Sequence, residues 1–215
     1  MFKKITLCFL FVFAWNFSFA QNAITSEGRT VFLKNDGTWE YTDMNRDPHD
    51  IRDLNDSEFS VDKNATFLVK SQLNPKYGIY LNPKKWNFEV NDNPDQQTEY
   101  ILKTKINGSN VFGSFAANKE GKSIEELRQK MVEEVESVDS NMEIVKEEYR
   151  LVNGKKMLYM KMNGDVMHIH FTVFFYLYAD GEDNVVAEIH TSKNLDDYKA
   201  TEKILQMLNN IVAVK

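Results

Sequence analysis

Hydrophobic and polar positions follow four regimes along the chain. Residues 5–13 are almost unbroken apolar sequence behind Lys3 and Lys4. Residues 21–42 break into short β-prone runs. Val31-Phe32-Leu33 and Trp39-Glu40-Tyr41 flank Asn35-Asp36-Gly37, and Asp-Gly between such runs predicts a hairpin. A lone hairpin is marginal in water, so this piece is expected to lean on the main domain through Phe32, Trp39 and Tyr41. Residues 43–64 carry Asp43, Asp47, Asp50, Asp53, Asp56 and Glu58 with few apolar positions, and read as an acidic, partly disordered linker.

From residue 65 to 215 the pattern is that of one continuous α+β domain. Residues 77–81 read as a strand closed by Asn82-Pro83. Residues 100–106 and 111–117 flank Asn107-Gly108-Ser109-Asn110 as a hairpin. Ser123-Ile-Glu-Glu126 is a capping box, after which Ile124, Leu127, Met131, Val135 and Val138 recur at helical spacing. Four strands follow. A last helix carries the stripe Leu195, Tyr198, Ile204, Leu205, Leu208, Ile211 and Val212.

Turn chemistry sets a register for those four strands. Asn153-Gly154 as a two-residue turn pairs Val152 with Lys155 and Glu148 with Tyr159. Asn163-Gly164 read the same way pairs Met162 with Asp165 and Leu158 with Ile169. A turn over 181–183 pairs Asp180 with Asn184, Tyr176 with Glu188 and Phe174 with His190. Ladder partners share a face. One face then collects Tyr149, Leu158, Met160, Met162, Val173, Phe175, Leu177, Val185, Ala187 and Ile189. The other collects Glu148, Arg150, Tyr159, His168, His170, Phe174, Tyr176, Tyr178 and His190. A slip of one residue moves every side chain to the other face, so this sorting supports a meander whose apolar face is covered by one or both helices.

Composition narrows the setting. The basic start, the apolar run and the small residues Ser18 and Ala20 read as a secretory signal over residues 1–20, cleaved before Gln21. The apolar run is shorter than the roughly 20 residues a bilayer span needs, and no later stretch reaches that length. Cleavage would remove Lys3, Lys4 and the only cysteine, Cys8, leaving the chain more acidic than the net −6 of the whole. A mature chain without cysteine has no disulfide framework and no thiol nucleophile. An acidic chain with scattered lysines lacks the clustered basic charge that nucleic acid binding needs. The expectation is a periplasmic or secreted protein, without cofactor and without a membrane span after cleavage.

The segments "GIYLNPKKW", "EYILKTKINGSNVFGSFAA", "KSIEEL", "MEIVKEEYRLVNG", "KKMLYMKMNG" and "HTSKNLDDYKATEKILQMLNNIV" follow one another in an order that resembles the fold shared by PsbP proteins of photosystem II, DcrB-type envelope proteins and a small Ran-binding import factor. The resemblance covers residues 65–215. It implies an antiparallel meander packed by two helices as an α/β/α sandwich, here with an N-terminal β-hairpin extension. It also implies a binding or assembly accessory, and it offers no catalytic motif to carry over. The front stretch "GRTVFLKNDGTWEY" is similar to a short module at the start of many exported bacterial proteins.

Candidate chemistry is sparse. His168 and His170 share a strand face about 7 Å apart, a separation that suits a metal, and Asp196 is the acid placed to complete the set. His190 falls roughly 13 Å away along the strand in the expected register. Asp53-x-Asn55-x-Ser57 fails as a calcium loop, because its sixth position is Glu58 and its twelfth Asn64. There is no Gly-x-Ser-x-Gly elbow, and Ser114 is flanked by strand residues. Adjacent carboxylates Glu133-Glu134 and Glu147-Glu148 point apart on a helix or strand. The aromatic set Phe174, Tyr176 and Tyr178, with Tyr159, His168 and His170, is the candidate surface for a protein partner or envelope component. The leading expectation is a non-enzymatic accessory. The alternatives are a metal- or small-ligand-binding protein using His168 and His170, and an enzyme whose site the residues do not reveal.

Overall fold

The computed structural model describes residues 22–24, 30–33, 37–41, 52–93, 98–192 and 198–214. The signal reading over 1–20, His49, Leu195 and Asp196 lie outside them. The chain divides into two units, Met1–Ile51 and Arg52–Lys215. In the first, β1 (Asn22–Ile24), β2 (Thr30–Leu33) and β3 (Trp39–Tyr41) form a three-stranded antiparallel sheet. Leu33 pairs with Trp39, and Gly37 at φ +82° supplies a left-handed position between the strands.

The second unit runs β4 (Leu54–Phe59), β5 (Phe67–Lys70), β6 (Tyr77–Leu81), β7 (Asn87–Val90), β8 (Tyr100–Ile106), β9 (Ser109–Asn118), α1 (Ile124–Glu136), β10 (Glu143–Val152), β11 (Lys155–Val166), β12 (Ile169–Ala179), β13 (Asn184–Thr191), α2 (Tyr198–Leu208) and β14 (Ile211–Ala213). Eight strands form the main sheet in the order β4-β10-β11-β12-β13-β9-β8-β7, and β14-β6-β5 form a smaller one. The main sheet is antiparallel except at its edge, where β4 runs parallel to β10. Residues 54–59 are therefore a strand, not linker. Their acidic side chains face water on an edge strand, while Phe59 packs against the core and the backbone completes the ladder. The compact unit begins at Arg52, upstream of the expected boundary at 65.

Both faces of the main sheet are apolar, one covered by α2 and the small sheet and the other covered in part by α1. One face carries Val152, Met157, Tyr159, Phe174, Tyr176, Tyr178, Val185, Ala187 and Ile189, and packs with Ala200, Ile204 and Leu208 of α2 and with Tyr77, Ile79 and Leu81 of the small sheet. The other carries Leu158, Met160, Met162, Val173, Phe175 and Leu177 under Leu127, Met131, Val132 and Val135 of α1. Each large side chain removed from water in this way contributes roughly 1.5–3 kcal/mol. The α1 capping box forms as its sequence predicts: Glu126 N–H donates to Ser123 Oγ, and Ser123 N–H donates to Glu126 Oε2 at 2.7 Å.

Three expectations fail for physical reasons. First, β11 does not turn at Asn163-Gly164. It runs on to Val166 and turns at Met167-His168, which take φ of 50° and 67°, so that Met162 pairs with Val173 and Leu158 with Leu177. Gly164 instead lets the ring of Phe171 cross the strand, since a Cβ there would lie 2.4 Å from Phe171 Cζ. Second, the turn before β13 is one residue longer than expected. Ala179 pairs with Asn184 and Tyr176 with Ala187, which puts Val185, Ala187 and Ile189 on the Tyr176 face and sends Glu188 and His190 to the opposite one. Asp180 holds this turn by accepting Asp183 N–H at 2.8 Å. Third, the last helix stops at Leu208, and Ile211–Ala213 form β14 against β6. Asn153 enforces that switch by donating to the carbonyls of Asn209 and Ile211 at 2.7 and 2.6 Å.

Candidate binding groove

The residues singled out in the sequence separate in space. Tyr159, Phe174, Tyr176 and Tyr178 are buried by the chain itself, at 2, 0, 0 and 5% exposure, and form core rather than a partner surface. Their polar atoms are engaged inside. Arg150, 4% exposed, lies 3.7 Å from the ring centre of Tyr159 and donates to the Tyr176 hydroxyl at 3.0 Å. That hydroxyl donates to Asn209 Oδ1 at 2.8 Å, and Arg150 Nε donates to Glu148 Oε1 at 2.6 Å. Burial, and the Arg150 charge working against it, leave the Tyr176 hydroxyl raised above its ordinary value. A buried cation surrounded by aromatic rings and a carboxylate is satisfied in place.

His168 sits at the tip of the β11–β12 turn, and His170, one pair below, contacts Asp165. Both are exposed to solvent. His190 belongs to the other sheet face, so the three histidines do not converge. No cluster of three metal-ligating side chains exists among the described residues.

The concave region lies on the α1 face. A hollow of about 480 Å³ runs between the C-terminal half of α1 and the β11–β12 hairpin, with Val135, Phe171, Val173 and Phe175 among its lining residues. Phe112, Val138 and Ile169 line it too, at 47, 60 and 58% exposure, although all three are large apolar side chains. A second hollow of about 680 Å³ continues along α1 past Ile101, Ser114, Lys130 and Met131. The two share Phe112, Glu134, Glu188 and His190.

Those shared polar groups form a set on the α1 face, whereas the expected register put Glu188 and His190 together on the Tyr176 face. β9 and β13 pair Ser114 with Glu188 and Phe112 with His190. Ser114 Oγ donates to Glu188 Oε1 at 2.8 Å, and His190 Nε2 lies 3.2 Å from Glu188 Oε2. Burial works against charge on both partners, yet each stabilises the other's ion. Glu188 is held below the usual carboxylate range by His190 and Ser114, and His190 is raised by Glu188 and by the charge of Glu134. Glu134 is raised by partial desolvation, although its side chain stays more than half exposed. The carboxylate stands between the serine and the histidine. A serine nucleophile needs the imidazole next to its hydroxyl and the acid behind it, and here the hydroxyl is given to the acid. The set is a fixed polar end to an apolar groove. The sequence held one signal for it: Glu188 and His190 alternate with apolar residues on β13, as side chains of one face do.

No family model matches the chain, and no curated protein matches it in sequence. Solved structures do. The solution structure of cyanobacterial PsbP from Synechocystis sp. PCC 6803 superposes with a TM-score of 0.50 at 11% identity, over 72% of this chain and 95% of that one. A crystal structure from Bacteroides thetaiotaomicron VPI-5482 matches with a TM-score of 0.39 at 15% identity, over 66% of this chain and 46% of that one. The chain has a PsbP-like α+β fold.

Proposed function

We propose that this chain is an exported, non-enzymatic accessory protein of the bacterial envelope that binds the apolar part of a partner in the groove along α1. The observation that carries the reading is the rim of that groove. Phe112, Val138 and Ile169 come from a strand, the end of a helix and a hairpin, and they expose apolar surface around one hollow of about 480 Å³. Hollows of this size, apolar with a few converging polar groups, are the usual form of a binding site. The PsbP-like fold supports an accessory role. The amino-terminal signal pattern supports export, and the kinship with DcrB-type envelope proteins belongs to the same proposal. His190, Glu188 and Glu134 would orient a polar group at one end of an otherwise apolar occupant.

Titration with the neutral apolar dye Nile red tests this. Saturable fluorescence enhancement is expected, and Val138→Asp and Ile169→Asp should each weaken it roughly tenfold or more while leaving the thermal midpoint unchanged, because both side chains are exposed. Dye binding that persists at full strength in both variants would refute the assignment of the groove.

A further inference from the structure

A third hollow, of about 360 Å³, lies away from α1, where the end of α2 meets the β6–β7 connection and β8. Lys84, Lys85, Lys105 and Lys203 line it, with a single carboxylate, Asp62. All four lysines are solvent-exposed, and none has an ion-pair partner among the described residues. In a chain of net charge −6, four unpaired ammonium groups around one concavity are a local reversal of sign. Concave walls focus such a field. Asp62 offsets one of the four charges and leaves the lining net positive.

Asn210 gives independent support. It is 4% exposed and lines this hollow. Its backbone N–H donates to Met207 O, its carbonyl accepts Tyr80 N–H, and its Oδ1 accepts Asp62 N–H at 2.8 Å. Its Nδ2 has no acceptor among the described residues. That donor is still reached by water, so a ligand oxygen in the hollow can take the water's place without displacing a protein partner. The local backbone donors cannot serve an anion instead. Lys84 N–H goes to Asn82 Oδ1, and the N–H groups of Lys85 and Trp86 go to Asn82 O. The α2 C-terminus adds a partial negative charge of about half an electron, smaller than the charge of one lysine.

We propose that this hollow binds a phosphate-bearing organic molecule, its phosphate held by Lys84, Lys85, Lys105 and Lys203 and one of its oxygens accepting from Asn210 Nδ2. Lysine suits phosphate as a point charge, and no arginine, which would favour a bidentate carboxylate, lines the hollow. The space exceeds a bare phosphate, which fills only a few water volumes of about 30 Å³ each. Trp86, Ile106 and Met207 supply an apolar wall for the remainder of the molecule. The site is separate from the α1 groove and stands or falls independently of it.

Calorimetric titration of the purified chain with pyrophosphate, and sedimentation with phosphatidylcholine vesicles with or without phosphatidic acid, tests the proposal and distinguishes a soluble phosphate from a lipid headgroup. Binding of either probe is expected to weaken roughly tenfold or more in Lys84→Ala/Lys85→Ala and in Lys203→Glu, and to fall as salt screens the charges. Lys119→Ala, outside the hollow, should bind like the parent. Pyrophosphate binding supports a soluble ligand, and binding only to vesicles with phosphatidic acid supports a headgroup. Absence of both, or binding that the lysine variants leave unchanged, overturns the proposal. The substituted lysines are exposed, so circular dichroism should match the parent and loss of fold will not mimic loss of binding.

Discussion

Tyr176→Phe isolates the claim that the aromatic side of β12 is scaffold. The substitution keeps the ring, which is fully buried, and removes one oxygen. That oxygen accepts from Arg150 Nη1 at 3.0 Å and donates to Asn209 Oδ1 at 2.8 Å. A hydrogen bond to a charged group is worth about 1.5–3 kcal/mol, and a neutral one about 1. The phenylalanine also leaves one guanidinium N–H and one amide oxygen unsatisfied, although Arg150 retains Glu148. The expected loss is about 2–4 kcal/mol, a large part of the 5–15 kcal/mol typical of a whole domain. Urea denaturation followed by circular dichroism reads it directly: the midpoint should fall while the slope m stays constant, because the surface exposed on unfolding is unchanged. Asn209→Ala measured alone and in combination should give a double variant less destabilised than the sum. A loss below about 0.5 kcal/mol would mean that the hydroxyl meets water, and would return Tyr176 to the list of binding residues.

Two further outcomes follow from the same contacts. His190 is raised in the fold and Glu188 lowered, so the pair stabilises below the unfolded histidine value of 6.5 and above the unfolded glutamate value of 4.5, and fades as pH rises through the raised histidine value or falls through the lowered glutamate value. Urea midpoints of the parent and His190→Gln, compared across pH, should differ most between those limits and converge toward alkaline pH; a gap that widens with alkalinity would be inconsistent with the pair. Met167-His168→Asn-Gly puts the residues preferred at positive φ into the β11–β12 turn and should raise stability by about 0.5–1 kcal/mol in a thermal melt, whereas a decrease would argue that the turn lies elsewhere.

Much of the fold was legible because capping and turn chemistry are local. Ser123 and Glu126 mark the start of α1, Asn153-Gly154 sets the β10–β11 register, and Asn107-Gly108 makes the β8–β9 turn. Sorting residues by face does not expose every slip of register. Moving the turn from 163–164 to 167–168 changes the register by an even number of residues, so Leu158, Met160 and Met162 keep their face and the error stays invisible. The slip at β13 is odd and should have shown. It did not, because both sheet faces are apolar, and Val185, Ala187 and Ile189 fit either. That slip displaced Glu188 and His190 from the groove they line and left the aromatic strip apparently exposed. The β4 strand is not legible in the sequence, because an edge strand with charged side chains carries no apolar alternation.

The groove itself follows from topology. Eight strands spaced about 4.8 Å apart make a sheet roughly 34 Å wide. On one face, α2 and the three strands β14-β6-β5 share the task of covering it. On the other, among the described residues of this unit, the cover is α1: thirteen residues, about 20 Å long and 10–12 Å across with its side chains. Such a helix shields two or three strands. The face it leaves open is still partly apolar, because the strands that line it also supply the core beneath α1. Phe112, Ile169 and Val138 therefore stay in water around an open hollow, not through any local defect but because the connection between β9 and β10 supplies one helix where the sheet has room for two. Extending α1 or adding a second helix would close the hollow. Burying those three side chains at about 25 cal/mol per Å² would stabilise the fold, so their exposure is the stability that a binding partner stands to recover.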